Sequence, residues 1–259
     1  MKQAKSKGAD LVHFSEACLT GYLGSELQSS REMDWKAVSA AMEEIMRLAG
    51  KLDLWVVVGS NHRLSGKQKP HNSLYVVSNR GHLVNRYDKM FCTGDHEDDG
   101  DLHHYNPGQA FVTFQVRDVV CGLLICHDFR YPELFRQYKR LGVQLMLVSF
   151  HNAGGNLQSY RNYNIWVSTT IQAAAASNYF AVSANNGTRQ YAWPSFVASA
   201  QGLVVNRARP HRPAVLINHI DTEEAMYDAS KAWRDRCMQG TLHSGTLTRD
   251  PRSSNRIRL

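Results

Sequence analysis

Short apolar runs separated by amphipathic stretches make up most of this chain. β-Branched and aromatic residues gather at Leu11–Phe14, Leu54–Gly59, Ser73–Ser78, Val119–Cys126, Leu145–Phe150, Phe180–Ala184, Phe196–Ala200 and Ala214–Ile220. Runs of this length, bounded by turn-forming residues, predict strands. Between them Trp35, Val38, Met42, Ile45 and Ala49 repeat at intervals of three and four, the period of one helix face, with Asp34 placed to cap the start. A second helix is predicted to begin at Pro132, which suits a first helical position, and to end near Gly142. A third is predicted from about Tyr160 to Ser177, with Trp166, Thr170, Ala173 and Ala174 forming a small-residue face for a close neighbour. Asn79-Arg80-Gly81 and Gln201-Gly202 read as hairpin turns. Hairpins together with helical crossovers predict a mixed, layered α/β fold.

Length and charge narrow the class. At 259 residues the chain suits one α/β domain, expected over 1–240, followed by an extended tail at 241–259. The 30 Lys and Arg against 23 Asp and Glu give a net charge of +7, but the basic residues are dispersed and form no stripe, so no nucleic-acid partner is expected. No run approaches the roughly 18 apolar residues of a membrane span, and Met1–Lys7 lacks the apolar stretch of a secretory signal. Cys18, Cys92, Cys121, Cys126 and Cys237 form an odd set without a Cys-x-x-Cys pair, which predicts free thiols and a cytoplasmic, reducing location.

Candidate chemistry lies where apolar runs stop. Glu16 follows Leu11–Ser15, Lys89 follows Leu83–Asp88, and Cys126 ends Val119–Ile125, so all three are expected at strand ends, where ligands bind in open α/β sheets. A thiol is mostly protonated at neutral pH and needs a base; Glu16 fits that role. Lys89 would favour the thiolate and neutralise an oxyanion, to which the backbone N–H of His127 would also donate. The His127 ring is a poor base for its own neighbour, because adjacent side chains on extended backbone diverge. In the acidic loop Asp95–Asp101 the spacing mimics the opening of a calcium loop, but Asn106 stands where a bidentate Glu is needed, so calcium is not expected; His96, His103 and His104 with the nearby acids match no known transition-metal ligand spacing, so no metal is expected. Glu133 is expected to cap or pair structurally, with Arg130 as a partner.

Gly8–Tyr22, Tyr87-Asp88-Lys89 and Cys126–Glu133 resemble the glutamate, lysine and cysteine motifs of the nitrilase superfamily of carbon–nitrogen hydrolases, in the same order. The resemblance extends over nearly the whole chain. It implies a four-layer αββα sandwich, a Glu16-Lys89-Cys126 site without metal or organic cofactor, a small amide or ureido substrate, and a homodimer or higher homo-oligomer paired through outer helices. It also implies a strand before the glutamate motif that this chain lacks, leaving a gap or a swapped segment at one sheet position. Ser15 replaces the usual Pro, which would loosen the base. Asp101 stands where many relatives carry a second Glu; it would orient Lys89 or the hydrolytic water, or else be a solvated loop residue.

The expected activity is hydrolysis of a linear amide or N-carbamoyl bond through a cysteine thioester. True nitrilases in the family resemble one another in a Trp-Glu pair after the cysteine, whereas His127-Asp128 stands here. Arg130 would suit a substrate carboxylate. A catalytically silent subunit with a binding or scaffold role, and a soluble amine acyltransferase, are the other readings left open.

Overall fold

The computed structural model describes residues 1–151, 157–187, 194–209, 212–222 and 227–257. The chain divides into two compact units, Met1–Thr222 and Glu223–Leu259.

The first unit holds two sheets. A short helix α1 (Lys2–Ser6) precedes β1 (Leu11–His13), which runs parallel to β2 (Trp55–His62). β2, β3 (His71–Val77) and β4 (Leu83–Asp88) then form an antiparallel meander. The second sheet has the order β10-β9-β8-β7-β6-β5. Its centre is parallel: β6 (Val119–Ile125), β7 (Leu145–Phe150) and β8 (Ala181–Asn186). β5 (Thr113–Val116), β9 (Phe196–Ala198) and β10 (Val204–Arg207) add on antiparallel at the flanks. Both predicted hairpin turns connect neighbouring antiparallel strands.

Helices cover the outer faces. α2 (Trp35–Leu52) starts at Asp34, whose carboxylate accepts the N–H groups of Lys36 and Ala37 at 3.0 Å, satisfying two donors that a helix start leaves open. Its Met42, Ile45, Met46 and Ala49 pack on Val56, Val58 and Val77. Val57, Leu74, Val76 and Tyr87 turn the other way, into a core shared with β6 and β7. After a short α3 (Gly100–His104), α4 (Pro132–Arg140) contributes Leu134, Phe135 and Tyr138 to the same core, and α5 (Leu157–Asn178) contributes Val167, Ile171 and Ala175. The resulting layers are helix, sheet, sheet, helix, as predicted.

The buried stripe of α5 is Val167, Ile171 and Ala175; of the predicted small-residue face, Ala174 packs on the same core at its edge, whereas Ala173 is exposed and Trp166 is 37% exposed. One expectation is corrected. Ala214–Ile220 forms no strand: within it Val215 and Ile217 are exposed, and a bond from Asn206 Nδ2 to Ile217 O at 3.1 Å ties it to β10 through a side chain instead of a ladder. Alternation there reflects extended backbone, which does not by itself supply a pairing edge.

In the second unit α6 (Lys231–Met238) is followed by α7 (Pro251–Ser254). Arg234 is buried and donates to Asp228 Oδ1 at 2.5 Å.

Candidate active site

Glu16, Lys89 and Cys126 come from three loops at strand ends, and the fold gathers them. Glu16 lies just past β1, Lys89 directly follows β4, and Cys126 directly follows β6. Glu16 and Lys89 are each 1% exposed. A close approach makes this possible: Gly59 on β2 has no side chain, and a Cβ there would overlap Ser15 O, Ala17 N and the carbonyl carbon of Glu16. Ala17 takes φ +52°, a left-handed turn that ends the segment immediately after the carboxylate.

Glu16 is held by three donors. Its Oε1 accepts Asn72 Nδ2 at 2.8 Å and Lys89 Nζ at 3.2 Å, and its Oε2 accepts the His151 backbone N–H at 2.6 Å. Ser15, beside it, is itself buried. Lys89 Nζ also donates to Asp101 Oδ2 at 2.6 Å and to the Tyr22 hydroxyl at 3.5 Å. Burial opposes the ammonium charge, but Glu16, Tyr22 and Asp101 more than offset it, so Lys89 is held well above the ordinary lysine range.

Asp101 is not solvated. It is 6% exposed and accepts from the Tyr22 hydroxyl at 2.5 Å and the Thr93 N–H at 3.2 Å as well as from Lys89. Burial raises its pKa, yet Lys89 and these donors prevail and hold the carboxyl below its usual value.

Cys126 begins a 3-10 turn, Cys126–Arg130, with φ +42°. That region is costly for a residue with a Cβ, on the order of 1–3 kcal/mol. The turn is clamped by Asp128: its Oδ2 accepts Ile125 N–H at 2.9 Å and the Tyr87 hydroxyl at 2.8 Å, and its Oδ1 accepts Phe91 N–H at 2.8 Å. Burial pushes the Cys126 thiol well above its ordinary value, and Glu16 adds to this while Lys89 only partly compensates. The expected pull of Lys89 toward thiolate is present but outweighed, so the resting sulfur is a neutral thiol. His127, second in the turn, has no intrahelical acceptor for its N–H, while its ring Nδ1 lies 3.3 Å from Phe91 O.

Arg130 is not brought to this cluster. Its exposed guanidinium sits 4.2 Å from the centre of the Trp166 ring. Glu133 stands in the first turn of α4 and forms no ion pair with Arg130. No group of three or more His, Cys, Asp or Glu among the described residues is arranged to hold a metal ion.

Four further residues complete the site and carry no assigned role from the sequence: Tyr22, Asn72, Asp128 and His151. The His151 ring stacks on Tyr22 at 4.7 Å, with Nε2 3.3 Å from Glu26 Oε2. Two signals were available. His151 directly follows the apolar run of β7, as Cys126 follows that of β6, and Asn72 is a buried amide near the start of a largely buried strand.

The carbon–nitrogen hydrolase family model matches residues 1–227. An (R)-stereoselective amidase from a Pseudomonas species is 29% identical over 178 residues, 68% of this chain and 58% of its own length. A hydrolase in the agr operon of Staphylococcus aureus is 27% identical over 203 residues, 76% of this chain and 72% of its own. The chain thus spans under two thirds of the Pseudomonas relative. Among solved structures, an amidase from Nesterenkonia superposes with a TM-score of 0.66 at 21% identity, covering 80% of this chain and 75% of that one. One structure of that amidase holds butyramide. At this identity the likeness speaks for the fold. No helix among the described residues is long and apolar enough to cross a membrane.

Proposed function

Because this chain belongs to the carbon–nitrogen hydrolase family, we propose that it hydrolyses a linear amide through a thioester on Cys126, with Glu16 as base and acid and Lys89 as the stabilising cation. The observation that carries this reading is a buried carboxylate and ammonium, 3.2 Å apart, whose charges both act on a neutral thiol at the start of a tight turn. A neutral thiol needs a base at the moment of attack, and a paired carboxylate supplies one.

The lone pairs of Glu16 favour one proton path. Oε1 already accepts two donors, whereas Oε2 accepts one, so Oε2 has the open position. The thiol proton passes to Oε2 as sulfur bonds to the carbonyl carbon. Lys89 and the His127 N–H stabilise the oxyanion. The C–N bond then breaks, with Glu16 returning its proton to the departing nitrogen. Water adds to the thioester carbon, gives a proton to Glu16, and the C–S bond breaks to free the acid. Cys126 recovers its proton. Asp101 and Tyr22 hold the ammonium in place throughout.

An amide is favoured over an N-carbamoyl substrate because the Pseudomonas relative is named an amidase and the Nesterenkonia amidase takes butyramide into its structure. Arg130, stacked on Trp166 and exposed, gives no support to a substrate carboxylate. A homo-oligomer and one catalytic domain over 1–240 belong to the same reading. Incubation with butyramide and with a panel of small amides, read as ammonia release and as an acyl mass increment on the intact protein, tests it. Cys126→Ala should abolish both signals; turnover equal to wild type in that variant would overturn the reading.

A further inference from the structure

Asn72 touches both charged members of the site, through different parts of the same residue. Its side-chain Nδ2 donates to Glu16 Oε1 at 2.8 Å, and its main-chain carbonyl accepts the Lys89 N–H at 2.9 Å. It is 0% exposed and lies near the start of β3, opposite Asn61 of β2 in the register. One strand residue thus contacts both segments, the Glu16 carboxylate through its side chain and the Lys89 main chain through its carbonyl. We propose that Asn72 is a positioning residue: its side chain occupies Glu16 Oε1 so that Oε2 alone is left for the thiol proton. The inference rests on the Glu16, Lys89 and Cys126 roles proposed above.

The orientation of the amide follows from the chemistry of its neighbour. A carboxylate oxygen accepts and cannot donate, so the Asn72 face toward Glu16 must be the NH2 group. Oδ1 then faces away and has no hydrogen-bond partner among the described residues.

Removing the donor has two separable effects. A proton competes better for Glu16, which moves the acid limb of the rate profile to higher pH. The carboxylate also loses one of the contacts that fix its rotamer, which lowers the plateau. Asn72→Asp keeps the shape but sets a second carboxylate beside Glu16, and like charges at this separation resist joint ionisation. Its acid limb should move further than that of Asn72→Ala.

The test uses the full chain and 2-iodoacetamide, with Cys126 labelling followed by peptide mass from pH 5 to 9, so no knowledge of the substrate is needed. Displacement of iodide forms an S–C bond and sends the thiol proton to Glu16. Relative to wild type, Asn72→Ala should label about 10-fold more slowly at the plateau, with its acid limb raised by about one pH unit, as expected for loss of one hydrogen bond to a charged group. Asn72→Asp should raise the limb by more than one unit. Thermal melts run in parallel. Limbs that coincide with wild type in folded variants would overturn the proposal, as would failure of both variants to fold, which would assign Asn72 to the core. Cys126→Ala turnover tests the underlying reading separately: an inactive Cys126→Ala with unmoved Asn72 limbs would sink this inference alone.

Discussion

Asp128 shows how a single carboxylate can be both costly and required. Three donors converge on it, yet burial still raises it to about 6 from an ordinary value near 3.8. The folded pKa lies above the unfolded one, so the stability linked to this proton is complete below about 4 and is lost as pH rises through 6. At neutral pH the buried charge therefore costs on the order of 3 kcal/mol. Asp128→Asn removes that cost but turns an NH2 group toward either Phe91 N–H or Ile125 N–H, leaving a buried donor unpaired at about 1–3 kcal/mol. The two effects nearly cancel in stability and do not cancel in geometry. A melting temperature within a few degrees of wild type is expected, with acylation slowed about 10-fold because the Cys126 turn loses a clamp. Single-turnover acyl transfer and a melt on the same sample check both halves. Cys18 and Cys237 are exposed and compete for any label, so labelling is resolved peptide by peptide, whereas Cys92 and Cys121 are buried and burial pushes both to about 12.

Among the elements, β2 places the base without supplying any group to the chemistry. It is buried along nearly its whole length, and at Gly59 the Glu16 loop crosses it so closely that a methyl group has no room. The obstruction is main chain, which cannot swing aside as a side chain could. Gly59→Ala is thus expected to displace Ser15–Ala17 and lower kcat by roughly 100-fold, the penalty of an ångström-scale misplacement, while KM changes little. Steady-state kinetics on the small amide that turns over fastest would check it, and a kcat within twofold of wild type would show that the loop moves without consequence. This glycine is conspicuous in sequence only as one residue in a Val-rich strand. Its reason is the crossing, which involves residues more than forty positions earlier.

Across the molecule the two sheets meet through polar as well as apolar contacts. His13 on β1 reaches the second sheet, with Nε2 2.8 Å from Ser149 Oγ and Nδ1 3.2 Å from Ser183 Oγ, and Asn185 Nδ2 donates to His13 O at 2.6 Å. Burial lowers its pKa to about 3 from 6.5. Between those values the unfolded chain binds a proton that the folded chain does not, so stability falls as pH drops from 6.5 toward 3. One such site contributes at most ~1.4 kcal/mol per pH unit, and less here because His13 keeps some solvent contact. His13→Gln removes this slope; urea midpoints at pH 7 and pH 5 should differ less in the variant than in wild type. An equal difference in both would place the acid sensitivity elsewhere.

The strands, the capped helix after Asp34, both hairpins and the strand-end positions of Glu16, Lys89 and Cys126 could all be read along the chain, because apolar periodicity and turn chemistry are local properties. The motif likeness then supplied the layer order. Other features depended on which residues meet across the fold: burial of Asp101 against Lys89, the clamp by Asp128, the hold of Asn72 on Glu16, the stacking of His151 on Tyr22, and the outward placement of Arg130. The same holds for the face of α5 turned inward and for Ala214–Ile220 remaining unpaired. A linear pattern records how often an apolar residue recurs, but whether a charge finds a partner or a strand finds an edge is decided only when distant segments come within a few ångströms of each other.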